Sequence, residues 1–371
     1  MDSSKLMEAL QLIEKQRGID REEIFQAIEN SLISACKKNF GTSQNIKVDI
    51  NRETGEVNVY AQKEVTEDVY DAFLEISLED AKEINPNYEY GDLVDIPVTP
   101  RNFGRISAQA AKQVVVQKFR EAEREKVYRQ YVVKQNDIDT GVIRRIENKN
   151  VVVSLGPIDV VIPPKEQVAT ESYNVHDRLK VYITQVTKVT KGARITGSRS
   201  HPDLVKRLFE LEVPEIYDGT IEIKGIAREA GYRSKMAVYS KNPNVDAIGS
   251  CIGSNSNRIN AIIKEIRGEK IDIINWSEDT KSYIAEALKP CDVLAIDLNQ
   301  EERTAKVIVP DNQLSLGIGK EGQNVRLAAR LTGWKIDIKS EEQARLTNFV
   351  DFDNKEIYIK QIEENIEDED I

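Results

Sequence analysis

Histidine is nearly missing from this chain: His176 and His201 are the only two in 371 residues. Histidine is the usual general acid–base and a leading metal ligand at neutral pH, so its scarcity argues against zinc centres and most acid–base enzymes. His201 precedes Pro202 in a turn-like HPD and carries no metal spacing. Cysteine is scarce too. Cys36, Cys251 and Cys291 are odd in number and never in C-x-x-C spacing, which speaks against a disulfide scaffold and for a reducing cytoplasm. Long apolar runs are lacking. Val151–Val153 and Val307–Val309 are among the longest, far short of a membrane span. The opening MDSSKLMEAL has acids and no apolar stretch of a secretory signal. What remains is a charge-rich soluble composition, long enough for several cores.

Net charge is −11, which at first disfavours a polyanionic partner. The distribution says more. From Asp351 onward there are 9 acids against 2 bases, whereas Val186 to Lys270 holds 15 bases against 10 acids. An acidic tail from about Thr347, expected to be disordered, masks a basic middle. Such a middle either meets phosphates or is a solvated mixed face.

Periodicity divides the chain. Leu6, Leu10 and Ile13 predict one helix, ending at Arg17-Gly18. Asp20-x-x-Glu23 resembles a capping box for a second, with Ile24, Ile28, Leu32 and Ala35 on its stripe. Ile46, Val48 and Ile50, a RETG turn, then Val57, Val59 and Ala61 read as a β-hairpin. A helix from Ser77, a strand in YGDLVDIPV and a long helix from Arg105 to Tyr131 complete an N-terminal α/β domain. This domain is polarised: residues 61–95 carry 11 acids and 2 bases, residues 101–129 carry 8 bases and 3 acids. Five short strand-like runs between Asp137 and Arg199 suggest a small barrel, an OB-fold first. Tyr182, Lys188, Lys191, Arg194 and Arg199 are its candidates for a single-strand groove, with Tyr182 equally well placed in a core.

Two later segments repeat. IGSNSNRINAIIKEIRGEKIDII (252–274) and IGKEGQNVRLAARLTGWKIDI (318–338) share Ile-Gly, a polar turn, an amphipathic helix, a glycine and a closing KIDI strand. Two similar modules follow. The second contains a literal G-x-G-x-x-G, Gly317 to Gly322, with Asp337 further on. A dinucleotide site needs a strand running directly into the first glycine, and PDNQLSL intervenes here. Asp337 sits in an alternating strand as its exposed residue. No Gly-Lys-Ser/Thr follows, so no nucleotide cofactor is expected. Helix, G-x-x-G, helix, strand is instead the K-homology (KH) arrangement, whose loop clamps a single-stranded nucleic-acid backbone. Gly319 and Gly322 are the expected working pair, with Gly317 incidental. Lys320 and Glu321 lie between them, and Gln323, Asn324 and Arg326 follow on the helix.

LSLGIGKEGQNVRLAARLTGWKIDI (314–338) resembles the second KH module of the NusA family of bacterial transcription elongation and termination factors. NFGRISAQAAKQVV (102–115) is similar to the end of that family's N-terminal domain. Residues 137–199 resemble its S1-type OB-fold, and LFELEVPEIYDGTIEIKGIAREAGYRSKMAV (208–238) the opening of its first KH module. The resemblance implies an α+β, multidomain chain: a polymerase-binding domain over 1–132, an S1-type barrel over 137–199, prokaryotic type II KH modules over 200–276 and 277–345, and an acidic tail over 346–371. It implies a cytoplasmic, monomeric, non-catalytic protein that binds RNA polymerase near the RNA exit channel and nascent RNA. Such a protein modulates pausing, termination and antitermination beside other Nus factors, without cofactor or membrane. Arg101, Arg105, Lys112 and Lys118 are then the candidate polymerase contacts. The alternative is a general or ribosome-associated RNA binder.

Two departures from the family pattern stand out. The first loop reads Gly253-Ser254-Asn255-Ser256, without the usual second glycine and basic residue. Ser256 must therefore take positive φ at a cost, and Arg258, Arg228, Arg233 and Lys235 are expected to supply the missing phosphate affinity, unless they are solvated surface. Only a short acidic tail follows the KH pair, so functions tied to the acidic repeat domains of some members are expected to be absent.

Overall fold

A computed structural model describes residues 20–40, 45–98, 103–190 and 192–351, with Met7 and Glu14. The helix expected over residues 6–17 lies outside these apart from Met7 and Glu14, both helical. The chain forms two compact units, residues 1–129 with 190–192, and residues 130–189 with 193–371.

In the first unit, Asp20 accepts the Glu22 N–H at 3.0 Å and starts α1 (Arg21–Phe40). Ile24, Phe25, Ile28, Leu32 and Cys36 form its buried stripe, so the fourth-turn position belongs to Cys36 rather than Ala35. The stripe packs on β1 (Asn45–Ile50) and β2 (Val57–Thr66), an antiparallel hairpin pairing Val48 with Val59. Strict alternation buries Ile46, Val48 and Ile50 on one face. Arg52, in the turn, pairs with Glu22 and Glu29 of α1 and lies 5.1 Å from the Phe25 ring centroid. β3 (Glu75–Ser77) and β4 (Leu93–Pro97) flank β2. Ser77 caps α2 (Leu78–Ile84) by accepting the Asp80 N–H. A long helix, α3 (Phe103–Val132), follows.

The second unit opens with a closed five-stranded barrel: β5 (Ile138–Glu147), β6 (Asn150–Ser154), β7 (Asp159–Ile162), β8 (Arg178–Val189) and β9 (Gly192–Ser198), in the order β5-β6-β7-β9-β8. Gly141 and Gly197 let the wall close, since a Cβ at either would come within 2.6 Å of neighbouring strand atoms.

Next come α4 (Pro202–Glu212), α5 (Pro214–Tyr217), β10 (Ile221–Glu229), β11 (Arg233–Ser240), α6 (Ala247–Ile252), α7 (Asn257–Glu265) and β12 (Lys270–Asn275). The order then repeats as α8 (Thr280–Leu288), β13 (Ala295–Asn299), β14 (Thr304–Val309), α9 (Leu314–Ile318), α10 (Gln323–Thr332) and β15 (Lys335–Ser340). In both modules the first two strands pair antiparallel and the KIDI strand joins the second in parallel. The single-residue offset between the copies lies in the helix-to-strand turn. The first copy uses two left-handed residues, Arg267 and Gly268, where the second uses Gly333 alone.

The modules share a core. Ala237 and Ile274 of the first sheet are buried with Ile284, Val307 and Ala328 of the second module. Gly225 admits α10, because a Cβ there would stand 3.2 Å from Leu331 Cδ1. The second sheet is covered by α11 (Glu341–Leu346) and the residues after it. Phe349 and Val350 are buried against Ala295 and Ile308, which corrects the expectation that the acidic tail starts at 346: apolar burial holds the chain to residue 350.

Candidate nucleic-acid interface

The two loops have nearly the same backbone despite different residues. α9 ends at Gly319 (φ 77°, ψ 170°), Glu321 has φ 53°, and Gly322 has φ 74° before α10 starts. In the first module Gly253 (φ 74°, ψ 170°), Asn255 (φ 51°) and Ser256 (φ 58°) precede α7. Each loop thus holds a left-handed residue that is not glycine at its third position, which the glycine pattern did not reveal.

The two glycines of the second loop are required for different reasons. A Cβ on Gly319 would sit 2.7 Å from Asn324 Cβ and 2.8 Å from its backbone N, so bulk is excluded there. A Cβ on Gly322 would meet only Arg326 Nη1 at 3.9 Å. Gly322 is needed for its dihedral alone, and that is why Ser256 can stand in its place with strain. Ser256→Gly should therefore raise the stability of the second unit by roughly 0.5–1 kcal/mol, net of glycine's unfolded-state entropy. Urea unfolding reads this, and an unchanged or lowered midpoint refutes it.

Gly317 is not incidental. It is buried in α9, and a Cβ would come 2.6 Å from Ile338 Cδ1 and 3.0 Å from Cys291 Sγ. The equivalent position of the first module is the buried Cys251.

Neither Ser256 nor Gly322 caps its following helix with a side-chain hydrogen bond. The first N–H of each helix is taken by its own loop, Asn257 donating to the Ser254 carbonyl and Gln323 to the Lys320 carbonyl, and the Arg258 N–H donates to Asn257 Oδ1; the positive end of each helix dipole lies beside its loop, where an anion is favoured. Lys320 is exposed at the second loop and has no ion-pair partner among the described residues. Ser254 and Asn255 offer only neutral groups at the first.

Several candidate ligands turn out to be internal. The Arg199 side chain is fully buried: Nε and Nη2 donate to Glu171 at 3.0 and 2.5 Å, Nη1 to the Lys180 carbonyl and Nη2 to that of Glu265. Arg228 is paired with buried Glu269 at 2.8 Å and donates to the carbonyls of Arg199 and His201. Lys235 Nζ donates to the Lys289 carbonyl at 2.8 Å, and burial pushes its pKa down. Asn324 is buried beneath its loop and donates to the carbonyls of Leu288 and Gly317. None of these four side chains presents its polar head at the surface: Arg199, Arg228 and Lys235 meet hydrogen-bonding demand where barrel, first module and second module join, and Asn324 does so within the second module. Arg258, at the position equivalent to Asn324, likewise donates to the Ser250 carbonyl and pairs with Glu215. Arg233 is held by Asp272 at 2.7 and 2.8 Å and stays half-buried. Tyr182 belongs to the core, stacked on His201 with centroids 4.6 Å apart and donating to Asp203.

Lys188 is exposed near the end of β8, and Lys191 lies outside the described residues. Arg101 also lies outside them; Arg105 is in α3. Lys112 is exposed on α3 and Lys118 half-buried. Six residues separate these two lysines, which turns them roughly 120° apart on a helix, so they do not form one stripe.

Glu229 belongs to no motif or repeat and carries no signal of its own in the sequence. Ending β10 of the first module, it accepts from Gln323 Nε2 at 2.9 Å and is paired with Arg326 of α10. Hydrogen bonding from Arg326 holds its carboxyl below the usual range.

Residues 5–125 match the family described as NusA N-terminal domain, 132–197 the S1 RNA binding domain, 199–276 the NusA-like first KH domain and 280–346 the NusA-like second KH domain. Three similar curated proteins are each called transcription termination/antitermination protein NusA. That of Bacillus subtilis (strain 168) is 57% identical over 343 residues, 92% of each chain. That of Halalkalibacterium halodurans is 56% identical, covering 92% of this chain and 90% of the relative. That of Thermus thermophilus is 40% identical over 349 residues, covering 91% and 90%.

Proposed function

This chain belongs to the NusA family, and from that premise we propose that it is a non-catalytic transcription elongation factor. It binds RNA polymerase near the RNA exit channel through its N-terminal domain and holds nascent single-stranded RNA on its S1 barrel and KH modules. In doing so it modulates pausing, intrinsic termination and antitermination, with other Nus factors as further partners. The relatives' names support the transcriptional half. The observation that carries the RNA half is the pair of matching left-handed loops, each leading into the N-terminus of a helix. Their spacing is fixed by one shared core, so a single strand can be gripped at two points by a rigid body. At the second loop Gly319, Lys320, Gly322 and Gln323 form the grip, and at the first Gly253, Ser254 and Asn255. Among the described residues no helix is long and apolar enough to cross a membrane.

In vitro transcription by the cognate polymerase, on a template with a pause and an intrinsic terminator, tests the reading. The protein should lengthen the pause and change read-through. Identical transcript patterns with and without it would overturn the transcriptional assignment.

A further inference from the structure

Three cationic side chains stand near the second loop: Lys320 within it, Arg326 and Arg330 on the helix behind it. Two of them are already committed to an anion inside the protein. Glu229 takes Arg326 through Nε and Nη2, the latter at 3.1 Å, and lies 3.7 Å from Arg330 Nη1. Gln323, the first residue of α10, donates to the same carboxylate. Arg326 also reaches forward: its Nη1 donates at 3.1 Å to the carbonyl of Glu321, the left-handed residue between the two loop glycines. A carboxylate on the first module's sheet is thereby connected, through one guanidinium, to the backbone of the second module's loop.

The arrangement is lopsided. The Arg326 side chain is 44% exposed, whereas that of Glu229 is 16% exposed. An arginine so placed can exchange its partner at the surface, while the carboxylate stays where it is. An ion pair with one exposed member is weak in water, and a backbone phosphate offers the guanidinium a bidentate anionic partner of equal charge, reinforced by the neighbouring phosphates of the strand. In the first module the positions matching Gln323, Arg326 and Arg330 are Asn257, Asn260 and Lys264, so this cluster is peculiar to the second.

We propose that Glu229 is an internal competitor for RNA phosphate: it holds Arg326 in the RNA-free protein, and a strand seated on the second loop draws Arg326 away from it. Glu229 is therefore a positioning residue that touches no RNA and sets a threshold. A strand that engages the loop glycines and Lys320 gains Arg326 as well. A strand that merely passes nearby meets a neutralised helix. The inference rests on the reading of the second loop as a phosphate grip.

The test uses the full chain and short single-stranded RNA of unstructured sequence, with fluorescence anisotropy over a range of salt. Glu229→Gln keeps the shape and removes the charge. It should tighten binding about three- to tenfold at low salt and steepen the salt dependence by roughly 0.7 in log–log slope, one more phosphate contact on a single strand. The gain should vanish in an Arg326→Gln background. Weaker or unchanged binding by Glu229→Gln, or a gain that persists without Arg326, would overturn the proposal. Glu229→Asp, with the charge kept but withdrawn by one methylene, should show a smaller gain of the same sign, and serves should the glutamine variant misfold; a loss there also counts against the idea. If the unaltered protein binds no single-stranded RNA, the phosphate-grip reading itself fails, which is a different outcome from normal binding that Glu229→Gln leaves unchanged.

Discussion

Replacing Lys320 and Glu321 together by aspartate should weaken single-stranded RNA binding on the order of thirtyfold, about 2 kcal/mol. Lys320 is the exposed cation between the two glycines, and the pair change makes the loop more negative by two charges. A like charge a few ångströms from a phosphate costs several kcal/mol at an effective dielectric of about 20, and screening trims this. The backbone should survive, because aspartate tolerates the left-handed conformation of Glu321 as well as or better than glutamate does. Ser254 and Asn255 changed together to aspartate supply a matched control: the charge change is again two, at the corresponding positions of the other loop. There the loss should be about threefold, since no cation is removed and the strained Ser256 presents a poorer loop. Anisotropy titrations decide the matter. Equal losses would show that both loops grip phosphate alike and that the missing cation and glycine are immaterial.

The hairpin at 45–62, the five barrel strands and the duplicated module were all legible, because each announces itself through local alternation or a repeated string. The strain at Ser256 was legible too, since its counterpart is a glycine whose role is conformational. The arginines were not. Arg199 and Arg228 sit in a basic stretch and read as phosphate ligands, but charge counting does not report burial. Their neutralising carboxylates are Glu171, Glu265 and Glu269, placed 28, 66 and 41 residues away. Glu269 directly follows the two left-handed residues, Arg267 and Gly268, that stand where the second copy has one. The repeat therefore marked the place of insertion without revealing the buried ion pair that it serves. The packing role of Gly317 is hidden from the sequence for a related reason. Its loss of a side chain is answered by Cys291 and Ile338, and only packing in three dimensions shows the fit.

Arg199 carries the second large expectation. Arg199→Ala should destabilise the second unit by about 3–5 kcal/mol, the usual cost of leaving a buried charge without its partner. Glu171 would keep a carboxylate whose side chain is 1% exposed, and the carbonyls of Lys180 and Glu265 would lose their donor. The paired change Arg199→Met with Glu171→Leu should recover much of the loss, since it removes both charges and leaves apolar volume. Urea unfolding followed by circular dichroism reads both; a loss under about 1 kcal/mol for the single change would mean that water reaches the pair. The same variant separates the two roles proposed for this arginine. Glu265, whose carbonyl Arg199 holds, ends α7, the helix that begins at the first loop. Loosening that end should lower RNA affinity modestly while the salt dependence keeps its slope, because no phosphate contact is lost. A direct phosphate ligand behaves otherwise: its removal flattens the slope by roughly 0.7. A flattened slope in Arg199→Ala would return this residue to the RNA surface and overturn its place at the joint.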